Sequence, residues 1–212
     1  MTELVEADIM RYDVQYGAGT LSLEVAQQRV VGVLAPKEAK RIENVEAAVE
    51  QSLREPYASE PLEALLQGKR TALIITVDYT RPSPTPMLLP IIELCESQGV
   101  TPSVIIATGR HRLMSDDELC RHLGDEIVGR CRVMQHDAFD ASQVVLKGTT
   151  ARGTPIMVNK AIFEHDIVIG TGIIEPSYLC GWSGGRKLLM PGLAYHESID
   201  NNHYYLTHPD PR

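Results

Sequence analysis

The chain has 212 residues, 43% of them hydrophobic, which is enough for one sizeable core. Its 28 acidic and 20 basic residues leave a net charge of −8, which argues against a broad basic surface for nucleic acid. Aromatic residues make up only 5%, with two Phe and one Trp, which argues against a platform for stacking bases.

The opening stretch, MTELVEADIMRYDV, is acidic and has no apolar segment, so it does not read as a signal peptide. No window approaches the roughly 18 apolar residues of a membrane span. Cys95, Cys120, Cys131 and Cys180 are scattered without metal-finger or redox spacing. They read as reduced thiols, mostly in the core, and hence as a cytoplasmic protein.

Residues 8–35 alternate, as in DVQYGAGTLSLEV, with Gly17 and Gly19 at a turn, and predict a hairpin. Residues 36–56 have helical spacing, with Ile42, Val45, Val49 and Leu53 on one face. RTALIITVDYT predicts a buried strand that runs into the proline-stiffened loop 78–86. A helix follows, MLLPIIELCESQG, closed by Gly99. TPSVIIATGRHR is a second buried strand with a polar tip. SDDELCRHLG opens on an N-cap, Ser115, and acids in its first turn, then stops at Gly124. GRCRVMQHD predicts a third strand, residues 143–160 a hairpin around Gly153, and HDIVIGTG a further buried strand. LAYHESIDNNHYYLTH can form a last helix. Such alternation predicts a mostly parallel, Rossmann-like α/β sheet flanked by helices, with added hairpins. Ligands in such sheets sit at the C-terminal strand ends, where DYTRP, TGRHR and TGIIEPSY all fall.

Those loops carry the candidate chemistry. Arg81 can hold a carboxylate with its planar fork, and Asp78 can orient that arginine or a ligand hydroxyl. An ordinary rigid turn with an Asp–Arg pair explains the same residues. His111 suits proton transfer near neutral pH, and the arginines at 110 and 112 would favour its neutral form. The bland reading is a surface histidine. His122, His136 and His165 read as capping or packing groups. His196 and His203, seven apart, share a helix face, yet no compact His/Asp/Glu cluster supplies the three protein ligands of a catalytic zinc. Ser183-Gly184-Gly185-Arg186-Lys187 can receive an anion on its backbone amides, with Lys187 as cation or nucleophile. It lacks the longer Walker A pattern, and Pro191-Gly192 forbid a long helix behind it.

Taken together, DYTRPSP, ATGRHR, IIEP…GWSGGRKLLMPG and NNHYYLTHP resemble, in order and spacing, the lactate racemase family of nickel-pincer enzymes. The resemblance runs from about residue 10 to the end. It is most specific in the SGGRK…PG block and in the histidine sixteen positions after Lys187, since 203 − 187 = 16. It implies a nickel-pincer nucleotide, a pyridinium mononucleotide with two sulfur arms and a nickel–carbon bond, tethered through Lys187. Ser183, Gly184, Gly185 and Thr80 are implied as cofactor-binding, with the glycines at its phosphate. His203 is implied as the protein's nickel ligand, a flat four-coordinate site that suits nickel(II). His111 is implied as one of two proton-transfer histidines, Arg81 as a holder of the substrate carboxylate, and Asp78 as part of the same catalytic motif. The implied activity is racemisation or epimerisation of a small 2-hydroxyacid by hydride transfer at its α-carbon.

Two departures shape the expectation. The family's second proton-transfer histidine stands ten residues before the tether lysine, and here that position is Ser177. Arg212 falls just after the family's HP segment, so residues 1–212 are expected to be the N-terminal, cofactor-bearing domain, partnered by a C-terminal domain. Such a domain alone is expected to be inactive and without cofactor. Two other readings stand beside this one: a non-catalytic nucleotide-binding or carrier module, and a metal-free sugar-acid lyase or isomerase using Arg81 and His111. Neither nucleic acid nor membrane is an expected partner.

Overall fold

The structure, a computed structural model, describes residues 8–35, 37–177 and 180–208. The chain divides between Arg41 and Ile42 into two compact units.

The first unit holds the expected hairpin, β1 (Ile9–Tyr16) and β2 (Gly19–Ala26), antiparallel around Gly17. The strand period of two sorts its side chains. Met10, Tyr12 and Val14 oppose Val25, Leu23 and Leu21, while Arg11 and Asp13 oppose Glu24 and Ser22. On the polar face Arg11 donates to the Ser22 hydroxyl at 2.7 Å.

In the second unit, helix α1 covers Val45–Arg54, not the whole of 36–56. Asn44 explains the late start. Its side chain accepts from the Ala47 amide at 3.0 Å, so it caps a helix that begins one residue later. Ile42 lies outside the helix and is exposed, while Leu53 reaches the core. A short helix α2 (Leu62–Leu66), absent from the sequence reading, buries Leu62 and Leu66. Strand β3 (Thr71–Thr76) leads through the proline loop to α3 (Thr85–Ser97), with a proline in its first turn. Strand β4 (Thr101–Ile106) is followed by α4 (Asp116–Leu123), which has the expected Ser115 cap, completed as a capping box by Glu118. Next come α5 (Asp125–Arg130) and β5 (Arg132–Gln135). Gly129 and Arg130 therefore end a helix instead of opening the strand. Strands β6 (Val144–Thr149) and β7 (Pro155–Asn159) make the hairpin around Gly153. Helix α6 (Ala161–Glu164), strand β8 (Ile167–Gly170), the small hairpin β9 (Pro176–Ser177) and β10 (Gly181–Trp182), and helix α7 (His196–Tyr204) complete the chain.

Strands β5, β4, β3 and β8 lie in that order in one fully parallel sheet. Alternation along β3 builds a core on each face. Ala72 and Ile74 join α3, α4 and α5 on one side, while Leu73 and Ile75 join Ala161, Leu188 and Leu193 on the other. Each fully buried Leu or Ile contributes roughly 1.5–3 kcal/mol. The sheet is thus rigid where its C-terminal ends present loops. Among the described residues no helix is long and apolar enough to cross a membrane.

Candidate active site

The loops after β3, β4 and β8, with one side of α7, enclose a cavity of about 360 Å³. Asp78, Thr80, Arg81, His111, Ser183, Gly184, Lys187 and His203 all line it. Of the site residues singled out in the sequence, Gly185 alone does not.

The β3 loop is built on Asp78, which is only 3% exposed. Its Oδ1 accepts from the Thr80 amide at 3.1 Å and the Thr80 hydroxyl at 2.5 Å. Its Oδ2 lies 2.5 Å from His111 Nδ1. A carboxylate acceptor puts the proton on Nδ1 and leaves Nε2 as the lone-pair nitrogen of the neutral ring. The Asp–Arg turn pair is therefore not formed. Arg81 turns instead to Glu175, at 2.6 Å, and to the Thr80 carbonyl, at 3.1 Å.

The β4 loop is tied down where it leaves the strand. The Thr108 hydroxyl donates to the His136 carbonyl, and the Gly109 amide donates to the Gly192 carbonyl at 3.0 Å. The arginines beside His111 do not act on it as bare cations, because each has its own carboxylate. Arg110 pairs with Asp200, and Arg112 grips Glu118 with two 2.7 Å bonds that hold that carboxyl down to about 2. Asp78 is the charged neighbour that faces His111.

Lys187 lies in a short 3-10 turn, Gly185–Leu188. The long helix that Pro191-Gly192 forbid is indeed absent. Gly192 packs where only a hydrogen fits: a Cβ there would stand 2.3 Å from the Leu188 carbonyl oxygen and 2.9 Å from the Ala107 methyl. The Pro-Gly turn thereby folds the lysine loop down onto the β4 loop. Gly184 has φ +83°, and a Cβ there would meet the Ile173 carbonyl at 2.7 Å.

Helix α7 brings His203 to the cavity, with Nδ1 donating to the Ile199 carbonyl at 2.8 Å. That bond directs Nε2 outward as a potential ligand, the arrangement usual for metal-bound imidazole. His196 stacks on Phe139, centroids 5.1 Å apart, and does not line the cavity. His122, His136 and His165 pack as expected. His122 donates to the Val77 carbonyl at 3.0 Å, His165 to the Ala161 carbonyl at 2.8 Å, and the wholly buried His136 to the Ala194 carbonyl at 2.9 Å. The sequence reading missed Asp200 and Glu175. Asp200 stands one helical turn before His203, a spacing that could have shown it. Glu175 stands in the quoted IIEP stretch.

The residues present fit a tethered, anionic, metal-bearing nucleotide. A side-chain-free approach at Gly184, an amine at Lys187 and a preset imidazole at His203 all border one cavity. Among the described residues no group of three or more His, Cys, Asp or Glu could hold a metal by itself. A metal beside His203 would therefore need donors beyond the described residues.

Known proteins are similar to this chain in sequence and in fold. Residues 16–212 match the model of the lactate racemase N-terminal domain. The chain is 33% identical over 197 residues to the lactate racemase of Lactiplantibacillus plantarum, and 32% identical over 196 residues to that of Thermoanaerobacterium thermosaccharolyticum. Each alignment takes in 90% of this chain but 46% of the relative, so the chain spans about half the length of the curated relatives it matches. The lactate racemase apoprotein structure from T. thermosaccharolyticum superposes with a TM-score of 0.84 at 30% identity, over 96% of this chain and 49% of that one. A Thermotoga maritima protein, 22% identical with a TM-score of 0.62 over 76% of this chain and 40% of its own, shares the fold. The chain belongs to the lactate racemase N-terminal domain family.

Proposed function

We propose that this chain is the cofactor-bearing part of a nickel-pincer racemase or epimerase that inverts the α-carbon of a small 2-hydroxyacid. The observation that carries the reading is the Asp78–His111 pair facing the same cavity as Arg81, Lys187 and His203.

Lys187 would hold the nucleotide covalently, the Ser183–Gly185 segment and Thr80 would receive its polar groups, and His203 Nε2 would complete the nickel coordination. When bound, the group supplies a hydride acceptor, which no side chain of the site offers. The protein's own part is binding and proton transfer. Arg81 takes the substrate carboxylate, which fixes the hydroxyl end toward the β4 loop. His111 Nε2 then accepts the hydroxyl proton, and Asp78 stabilises the imidazolium that forms and holds the ring's orientation. Thr80 in turn holds Asp78 through Oδ1, so the acid cannot rotate away from the ring.

The test is the intact mass and nickel content of the full-length protein made together with the cofactor-synthesis enzymes. An adduct at Lys187 that is lost in Lys187→Ala is expected. Racemase activity retained by Lys187→Ala would replace this reading with the metal-free isomerase.

A further inference from the structure

We infer that Glu175 is a specificity residue: its carboxylate occupies the Arg81 guanidinium as an internal stand-in for the substrate carboxylate, and a ligand reaches Arg81 only by displacing it. This rests on the reading of Arg81 given above.

The geometry is that of an occupied fork. One terminal nitrogen of Arg81 lies 2.6 Å from Glu175 Oε1. The other donates to the Thr80 carbonyl at 3.1 Å and lies 3.4 Å from the Thr80 hydroxyl. A carboxylate that grips both terminal nitrogens in a fork must therefore take the place that Glu175 Oε1 holds. Arg81 lines the cavity and Glu175 does not, so the acid reaches the arginine from the rim. The Arg81 and Glu175 side chains are 36% and 41% exposed. A water-accessible pair of this kind is weak and salt-screened, hence exchangeable. The backbone around Glu175 is anchored independently, since its carbonyl accepts from the Ser183 amide at 2.8 Å. The side chain can therefore swing away while the β9–β10 hairpin stays in place.

This arrangement selects by charge. A carboxylate replaces what it removes, because it restores the ion pair on Arg81. A neutral amide of the same shape would leave an arginine without its counter-charge, so it cannot compete with Glu175. The opposite view makes Glu175 a fixed support that aims Arg81 at the cavity. The two views predict opposite signs on removing its charge.

The experiment titrates the 212-residue chain with sodium lactate and with lactamide at matched ionic strength. Backbone NMR shifts and the fluorescence of Trp182, the chain's one tryptophan, which pairs with Pro176, report binding. In Glu175→Gln, lactate should bind roughly two- to five-fold tighter than in wild type, the gain from losing an exposed competing pair. Lactamide should not change. Lactate binding to Glu175→Gln that is unchanged, weaker or undetectable overturns the inference. Arg81→Gln separates the two levels. If it removes lactate binding while Glu175→Gln fails to strengthen it, the inference falls and the role of Arg81 stands. If Arg81→Gln leaves lactate affinity intact, the role of Arg81 falls, and the inference with it.

Discussion

Asp78 Oδ2 and His111 Nδ1 stand 2.5 Å apart, one on the loop after β3 and the other on the loop after β4. On the proposed reading, two neighbouring parallel strands thus bring together a base and its orienter. Asp78→Asn removes the charge that stabilises a protonated ring and lets the amide favour the wrong tautomer. In the cofactor-loaded full-length protein it should lower kcat strongly with little change in KM. His111→Ala should cost about 10²–10⁴-fold, the usual worth of general-base catalysis. Arg81→Lys should act mainly on KM. Steady-state kinetics on each enantiomer separates these outcomes, and an equal effect of all three on KM would contradict the roles.

His203, and not His196, is expected to bind the metal. His203 lines the cavity with Nδ1 committed to the Ile199 carbonyl, whereas His196 is stacked on Phe139. Nickel per chain in the loaded protein should fall in His203→Ala and persist in His196→Ala. Equal retention in both would remove the assignment.

The glycines of the lysine loop are not equivalent. A methyl at Gly192 would have to displace backbone at 2.3 Å, so Gly192→Ala should destabilise the chain by roughly 1–3 kcal/mol or more. Gly185 has φ +53° and nothing within 4 Å of the added methyl, so Gly185→Ala should cost only the left-handed backbone, about 1–2 kcal/mol. Urea denaturation of both variants checks the order, and a milder effect at Gly192 than at Gly185 would contradict it.

His136 should make stability depend on pH. Burial holds its pKa below the ordinary 6.5. Nε2 donates to Ala194 and Nδ1 accepts from Asn159 Nδ2 at 3.1 Å, so a second ring proton would point at another donor. The unfolded chain therefore takes up a proton near pH 6.5 that the folded chain refuses. Stability from this group is complete above that value and declines as pH falls below it. His136→Gln should flatten the stability slope between about pH 5 and 6.5, whatever its effect at pH 8. A slope identical to wild type would assign the pH response to other groups.

The legible parts of this chain were those in which local chemistry and tertiary structure agree. Buried runs such as Ala72–Ile75 could only be strands, and Ser115 and Gly124 bracket α4 in both views. Helix α5 was hidden because Gly124 ends one helix and opens the next, so Asp125–Arg130 looked like the approach to β5. The over-long helix before Val45 followed apolar spacing past an asparagine cap. Within the site, side chains on conspicuous loops were found from their motifs. The partners were not, because a pair such as Arg81–Glu175 joins residues 94 positions apart (175 − 81) through sheet order alone, which no local pattern encodes. The partners of the arginines that flank His111 were hidden as well, Asp200 across the fold and Glu118 from α4.

Ser177 bears on the choice of substrate. A histidine ten residues before the tether lysine is what the family resemblance implies for the second face of the substrate, and this chain has serine there. Its Oγ lies 3.3 Å from Cys180 Sγ, and among the described residues neither of the two lines the cavity. The Ser177 hydroxyl and the nearby Lys187 ammonium pull the Cys180 thiol below its ordinary value, but a serine hydroxyl itself accepts no proton near neutral pH. With His111 alone on one face, removing a proton from the opposite enantiomer lacks a base worth about 10²–10⁴-fold. On the proposed reading, the full-length protein is therefore expected to act poorly on D- and L-lactate alike, since one transition state serves both directions. It should act better on a larger 2-hydroxyacid, such as a sugar acid, whose own groups or whose contacts with the rest of the protein supply the second acceptor. The measurement is the rate of inversion from each enantiomer, in wild type and in Ser177→His. A gain on lactate in Ser177→His, equal in kcat/KM from the two enantiomers because they have the same free energy, is the expected result. Fast racemisation of lactate by the wild type would show that the serine carries no such meaning.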